Sequence, residues 1–188
     1  TTEMGTAGLL VTRDRGYTIC NNVEAPRMEA EEHLPDKGFE IRSFPWHTDR
    51  EAQLVAELAG GSRFAADFAL PGAVPMVEEI ASLRYALTPW EVERYRWLGS
   101  TATDILEDIA AGIKPGDREC EVIGRMSRAL WDQRIDIVIN FCAADERCEV
   151  FRHPIVTERA IERRAMVGVN ARKGGLIVCL TRFVQLGP

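Results

Sequence analysis

Thr88-Pro89-Trp90-Glu91 constrains what this chain can fold into more than any other stretch. A threonine hydroxyl at the N-cap, a proline at the first helical position and a glutamate three residues after the cap make a capping box. That combination starts a helix. Ile105, Leu106 and Ile109 carry the helical pattern on to Gly112, so the helix is a long one. A long helix opening near the middle of 188 residues divides the chain. The length suits one good core or two small ones, and we expect a first domain over 1–84 and a second over 85–188.

Before that helix, short strands and helices alternate. "GLLVTR" (8–13) and "YTICNN" (17–22) predict paired strands around Asp14-Arg15-Gly16, with the glycine at the tip of the turn. "EAPRMEAEEHL" predicts a short helix and "FEIRSF" (39–44) a strand. A helix over 48–60 carries an apolar Leu54-Val55-Leu58 stripe and stops at Gly60-Gly61, and "SRFAAD" predicts one more strand. After the long helix, "KPGD" breaks the pattern and Asp117 caps a second helix with Ile123, Met126, Leu130 and Trp131 at helical spacing. "IDIVINF" (135–141) predicts a buried strand. A hairpin follows, "AMVGVNA" (165–171) and "GGLIVCLTRFVQLG" (174–187) around Arg172-Lys173-Gly174-Gly175, its second strand suited to the middle of a sheet. Helix, helix, strand, hairpin is α+β.

Composition narrows the function. Net charge is −6, without basic blocks or aromatic-basic interleaving, so nucleic acid is not the expected partner. No run approaches the about 20 apolar residues of a membrane span, and the N-terminus lacks a signal-peptide pattern. Five cysteines with no CxxC fit free thiols in a reducing cytoplasm. No GxSxG, P-loop or Rossmann glycine pattern occurs.

"SLRYALTPWEVERYRWLGSTATDILEDIAAGIKPGDRECEV" resembles the opening of the catalytic domain in the creatinase/aminopeptidase P/prolidase family, with its "R-x-x-K-x-x-x-E" seam, long helix and "I-x-P-G-x-x-E". "FRHPIVT" is similar to that family's "PH-x-x-P-T" loop, and the final hairpin to its "G-Y-x-x-D-x-T-R-T". The resemblance covers about residues 83–187, and 8–82 loosely. It implies a partial N-terminal α/β domain followed by the first half of a pita-bread α+β domain. By the same token the chain stops, at Pro188, before the second half.

The family's peptidases hold two divalent metals such as manganese or cobalt, through two aspartates, a histidine and two glutamates. The metals activate a bridging water. Aligned on Thr181-Arg182, the resemblance puts the second aspartate at Cys179 and the first at Gly168, and the other ligands beyond the end of the chain. A dinuclear site is therefore not expected here, and no cofactor is expected for this chain. His153 falls on the family's cleft histidine, implied to contact substrate or, in metal-free creatinase, to move a proton. A loop histidine packed on Pro154 is the structural alternative.

Three functional readings stay open: a prolidase-like hydrolase that has lost its metals, a metal-free hydrolase of a C–N bond using His153, and a non-catalytic binding module. The expected ligand is a peptide or small amide, and the family implies a homodimer. A zinc cluster of Cys142, Cys148 and His153, with Cys179, is disfavoured because Cys-x5-Cys exceeds the usual gap, and buried inert thiols read better. His33 and His47 read as surface or interfacial residues, and Trp90, Trp97 and Trp131 as helix-packing residues.

Overall fold

A computed structural model describes residues 7–187. These fall into two units that part between Ala86 and Leu87.

In the first unit, β1 (Ala7–Val11) pairs antiparallel with β2 (Gly16–Asn21), which pairs in parallel with β3 (Phe39–Phe44). Parallel neighbours need a crossover, and it contains α1 (Ala25–Ala30) and a short 3-10 turn, Pro35–Lys37. Gly16 is not at the tip of the hairpin: it opens β2 opposite Val11, and Thr12 and Arg15 close the turn through a 2.8 Å backbone bond. The glycine answers a close approach instead, since a Cβ there would lie 2.9 Å from Phe39 Cδ1. Tyr17 and Ile19 meet Val55 of α2 (Glu51–Ala59) in a small core backed by Leu10, Phe44, Leu54 and Leu58. α2 starts later than expected, because the Thr48 hydroxyl donates to Pro45 O and does not cap it. Gly60, at φ +58, ends it. "SRFAAD" shrinks to β4 (Ala65–Ala66), paired in parallel with β5 (Val74–Pro75), and a short α3 (Val77–Ser82) follows that the sequence had not announced.

The second unit opens with α4 (Pro89–Ala111). Its capping box is formed: Thr88 Oγ1 accepts the Glu91 N–H at 3.2 Å, and Glu91 Oε2 accepts the Thr88 N–H at 2.8 Å. Leu98, Ala102, Leu106 and Ala110, four residues apart, bury one face. Asp117 does not cap the next helix, α5 (Glu119–Asp132). Its carboxylate is taken by the Lys114 N–H at 3.2 Å and by Arg125 at 2.6 Å, while Glu121 accepts the Arg118 N–H at the helix start.

β6 (Asp136–Ala144), β7 (Arg164–Lys173) and β8 (Leu176–Gln185) form an antiparallel sheet in that order. Among the described residues β8 is therefore an edge strand, not a middle one, and every second residue along it is exposed. A bulge between Ile137 and Ile139 shifts β6 by one residue against β7. One sheet face, with Val167, Val169 and Ala171, packs on α4 and α5 in a continuous core that includes Leu106, Val122, Met126 and Leu130. Helices on one face of an antiparallel sheet make this an α+β fold.

Candidate functional site

Strand alternation sends Met166, Gly168 and Asn170 of β7 to the face away from the helices, beside Phe183, Thr181 and Cys179 of β8. The β6 bulge brings Phe141 to the same face, directly opposite Gly168. The Phe141 ring covers that glycine: a Cβ at 168 would lie 2.7 Å from Cε2, with Cζ nearer still. Phe141, Ala143 and Met166 form a small apolar cluster there, with Cys148 against it.

The wall of this face is the segment between β6 and β7, which includes α6 (Arg147–Val150). Two carboxylates hold it. Asp145, in the left-handed region at φ +53, accepts the backbone N–H groups of Glu162, Arg163 and Arg164, closing the segment on itself. Burial pushes the Asp145 carboxyl up, but those N–H bonds outweigh it and hold it below the ordinary range. Glu119, fully buried at the start of α5, accepts from the Arg147 guanidinium, from the Ala144 N–H at 2.9 Å, and from the Thr157 N–H and hydroxyl at 2.8 and 2.6 Å. Here too burial raises the carboxyl and the hydrogen bonds, led by Arg147, bring it below its usual value. Neither anchor follows from sequence spacing. Glu119 and Thr157 lie 38 positions apart and meet only in the folded unit.

The result is a groove of about 670 Å³ lined by Phe141, Cys148, His153, Asn170, Cys179 and Thr181, among others. Of the residues singled out from the sequence, His153, Cys179 and Cys148 share this groove. His153 stands edge-on to Phe141, ring centroids 6.1 Å apart, so its aromatic neighbour is Phe141. Gly168 lies beneath the Phe141 ring that lines the groove. Cys142 faces the core instead, and burial pushes its thiol up to about 12, which makes it inert. Cys179 is exposed, against the expectation of buried thiols, and all five cysteines are free. His33 is exposed, its Nδ1 3.8 Å from Asp36, and His47 sits edge-on to Trp46.

The tryptophans depart from expectation. Trp90, Trp97 and Trp131 are exposed, not packed between helices, because α4 and α5 bury their Leu, Ala and Met faces instead. Trp90 and Trp97 each lie under a cation, Arg94 and Lys173. Among the described residues no group of three or more His, Cys, Asp or Glu is placed to hold a metal ion, and no helix is long and apolar enough to cross a membrane.

No family model and no curated protein matches the sequence. Solved structures do resemble the fold. A dipeptidase from Mycobacterium ulcerans matches with a TM-score of 0.71 at 16% identity, over 100% of this chain and 56% of its own. An Xaa-Pro dipeptidase from Bacillus anthracis matches at 0.68 and 17%, over 100% and 56%. The prolidase from Pyrococcus furiosus matches at 0.71 and 14%, over 100% and 58%. At such identities the likeness is one of fold, and the chain spans a little over half the length of these relatives. The chain thus carries the α+β pita-bread fold of prolidases and Xaa-Pro dipeptidases, over part of their length.

Proposed function

We propose that this chain is part of a prolidase-like protein whose sheet face receives a peptide or small amide, with His153 against the ligand, but without the two-metal chemistry of the peptidases it resembles. The observation that carries this reading is the Phe141 ring over Gly168. A pair of hard divalent ions needs carboxylate oxygens from this hairpin. Gly168 offers no donor and its space is filled, while Cys179 offers one soft sulfur. The residues present do not fit the ion pair. The groove keeps what a peptide or amide needs: apolar rings from Phe141 and Phe183, and hydrogen-bonding groups from Asn170, Thr181 and His153.

The test is metal analysis of the chain, and of any longer natural form, after incubation with manganese, cobalt or zinc and desalting. Sub-stoichiometric metal and no Xaa-Pro hydrolysis are expected. Bound metal at one or two ions per chain with hydrolysis would overturn the reading. The packing argument has its own check in urea unfolding. Gly168→Asp should destabilise by about 2 kcal/mol through overpacking against the ring, and Phe141→Ala in the same chain should recover part of that loss.

A second reading rests on His153 sharing the groove with Asn170 and Thr181. An imidazole there can move a proton while the amide and hydroxyl orient a C–N bond. Turnover of a guanidino or amide substrate that survives His153→Ala would rule it out.

A further inference from the structure

A second cavity, of about 470 Å³, lies where α4, the end of α5 and the β7–β8 turn meet, lined by Arg94, Trp97, Leu98, Arg134, Lys173 and Gly174. Three of its six lining residues are cations and none is acidic. Among the described residues none of the three makes an ion pair. Arg94 donates from Nη2 to Gly174 O at 2.7 Å and stacks 4.3 Å from the Trp90 ring centroid. Lys173 donates to Gln133 O at 2.6 Å and sits 4.8 Å from the Trp97 centroid. Carbonyls and ring faces orient a cation without neutralising it. Glu91, one turn before Arg94 on α4, feels the Arg94 charge but forms no ion pair with it, and is held by the Thr88 N–H and hydroxyl at 2.8 Å each.

Arg134 adds an independent observation. The Arg134 N–H bonds Trp131 O at 2.8 Å and the Ile135 N–H bonds Leu130 O at 2.9 Å, the double closure of a helix end in which the first residue past the cap is left-handed. Glycine or asparagine is usual there. This chain places an arginine at φ +53. A helix C-terminus favours nearby cations, which accounts for a positive side chain near Gln133. It does not account for arginine in place of glycine, nor for Arg94, which comes from another helix. Gly174, at φ +54, completes the site, because a Cβ there would press on the Arg94 guanidinium, 3.1 Å from Cζ.

We infer that this cavity binds a small organic phosphate of the nucleoside diphosphate class, its phosphates held by Arg94, Arg134 and Lys173 and its ring against the exposed Trp97. Two guanidinium forks and an ammonium match the oxygens of linked phosphoryl groups. The volume falls in the range of small-molecule sites, about 300–1,000 Å³, and exceeds what a bare ion needs. In a chain of net charge −6, a cluster of three cations without an ion pair among the described residues is a local inversion of sign that can attract such a ligand.

Tryptophan fluorescence titrations of the 188-residue chain at low salt, with ADP, pyrophosphate, orthophosphate, citrate and adenosine, test it. Saturable quenching by ADP is expected, at least about tenfold tighter than by orthophosphate or adenosine, since each charge-assisted contact contributes about that factor. The affinity should fall as salt rises. Arg134→Gly should weaken ADP by about tenfold while keeping or raising the melting temperature, because glycine fits the left-handed backbone. A residue serving only the fold would not separate the two readouts in this direction. If the glycine variant melts lower than the parent, Arg134→Asn, also suited to that backbone, is the variant to read. Arg94→Gln and Lys173→Gln should weaken binding to a similar degree. No saturable response to ADP, equal binding of citrate, or unchanged affinity in the Arg134 variant would each overturn the inference.

Discussion

Glu119 is a buried carboxylate whose charge is kept by its neighbours. Burial alone would raise it, and the Arg147, Thr157 and Ala144 hydrogen bonds lower it below its ordinary 4.5. A carboxyl depressed in the folded state contributes its full stability above its unfolded value, and loses it as pH falls through the lower folded one. The second unit should therefore weaken in acid below about pH 4.5, the ordinary value for this group. Glu119→Gln should cost about 3 kcal/mol near neutral pH, where it strands Arg147, and should flatten the acid limb. Urea midpoints between pH 3 and 7 check both, and an unchanged acid limb would remove Glu119 from the account. The two residues of this joint are also instructive about the sequence. Glu119 ends the "I-x-P-G-x-x-E" stretch and Thr157 the "PH-x-x-P-T" loop, the motifs on which the family resemblance rested. Each could be read alone, but their 2.6 Å contact could not, because it depends on β6 folding between them. His153 lies on the loop they secure, and its position near the groove was legible only through that resemblance.

Elements with local signals were readable as written. The Thr88 cap, the run of the long helix to Gly112 and the Gly174-Gly175 turn all specify themselves within a few residues, although of Ile105, Leu106 and Ile109 only Leu106 is fully buried. Thr88→Ala should lower stability by about 1 kcal/mol, or about 4–8 °C in the melting temperature of a unit this size, measured by thermal denaturation. Elements whose fate depends on distant partners were less legible. Asp117 had the residue type of a cap, and a guanidinium eight residues on, about two helix turns away, claimed it. "SRFAAD" had the composition of a strand but found only a two-residue partner ending in Pro75. The tryptophans had helical spacing, yet spacing does not say which face of a helix meets the sheet. α4 and α5 turned Leu98, Ala102, Val122 and Met126 inward and left the indoles outside.

At the scale of the whole molecule, the α+β class follows from the order of elements, and the structure parts between Ala86 and Leu87. The outer sheet face of the second unit is less expected for a chain of net charge −6. Ile139, Ile177 and Phe183 are exposed on it, Phe183 by 69%, beside the exposed Phe151 of its wall. Such a surface should bind a hydrophobic dye in the native state. Phe183→Asp should reduce that fluorescence with little change in melting temperature, and an unchanged signal would place the dye elsewhere. The bulge between Ile137 and Ile139 has a consequence on another timescale, that of sequence divergence. Strict alternation along Ile137-Val138-Ile139-Asn140-Phe141 would turn Phe141 toward the helices and leave Asn140 facing Gly168. Keeping the bulge therefore decides whether a ring or a small amide covers the glycine. A lineage could uncover this face by substitutions that straighten β6 without deleting a residue, with residue 168 itself never changing.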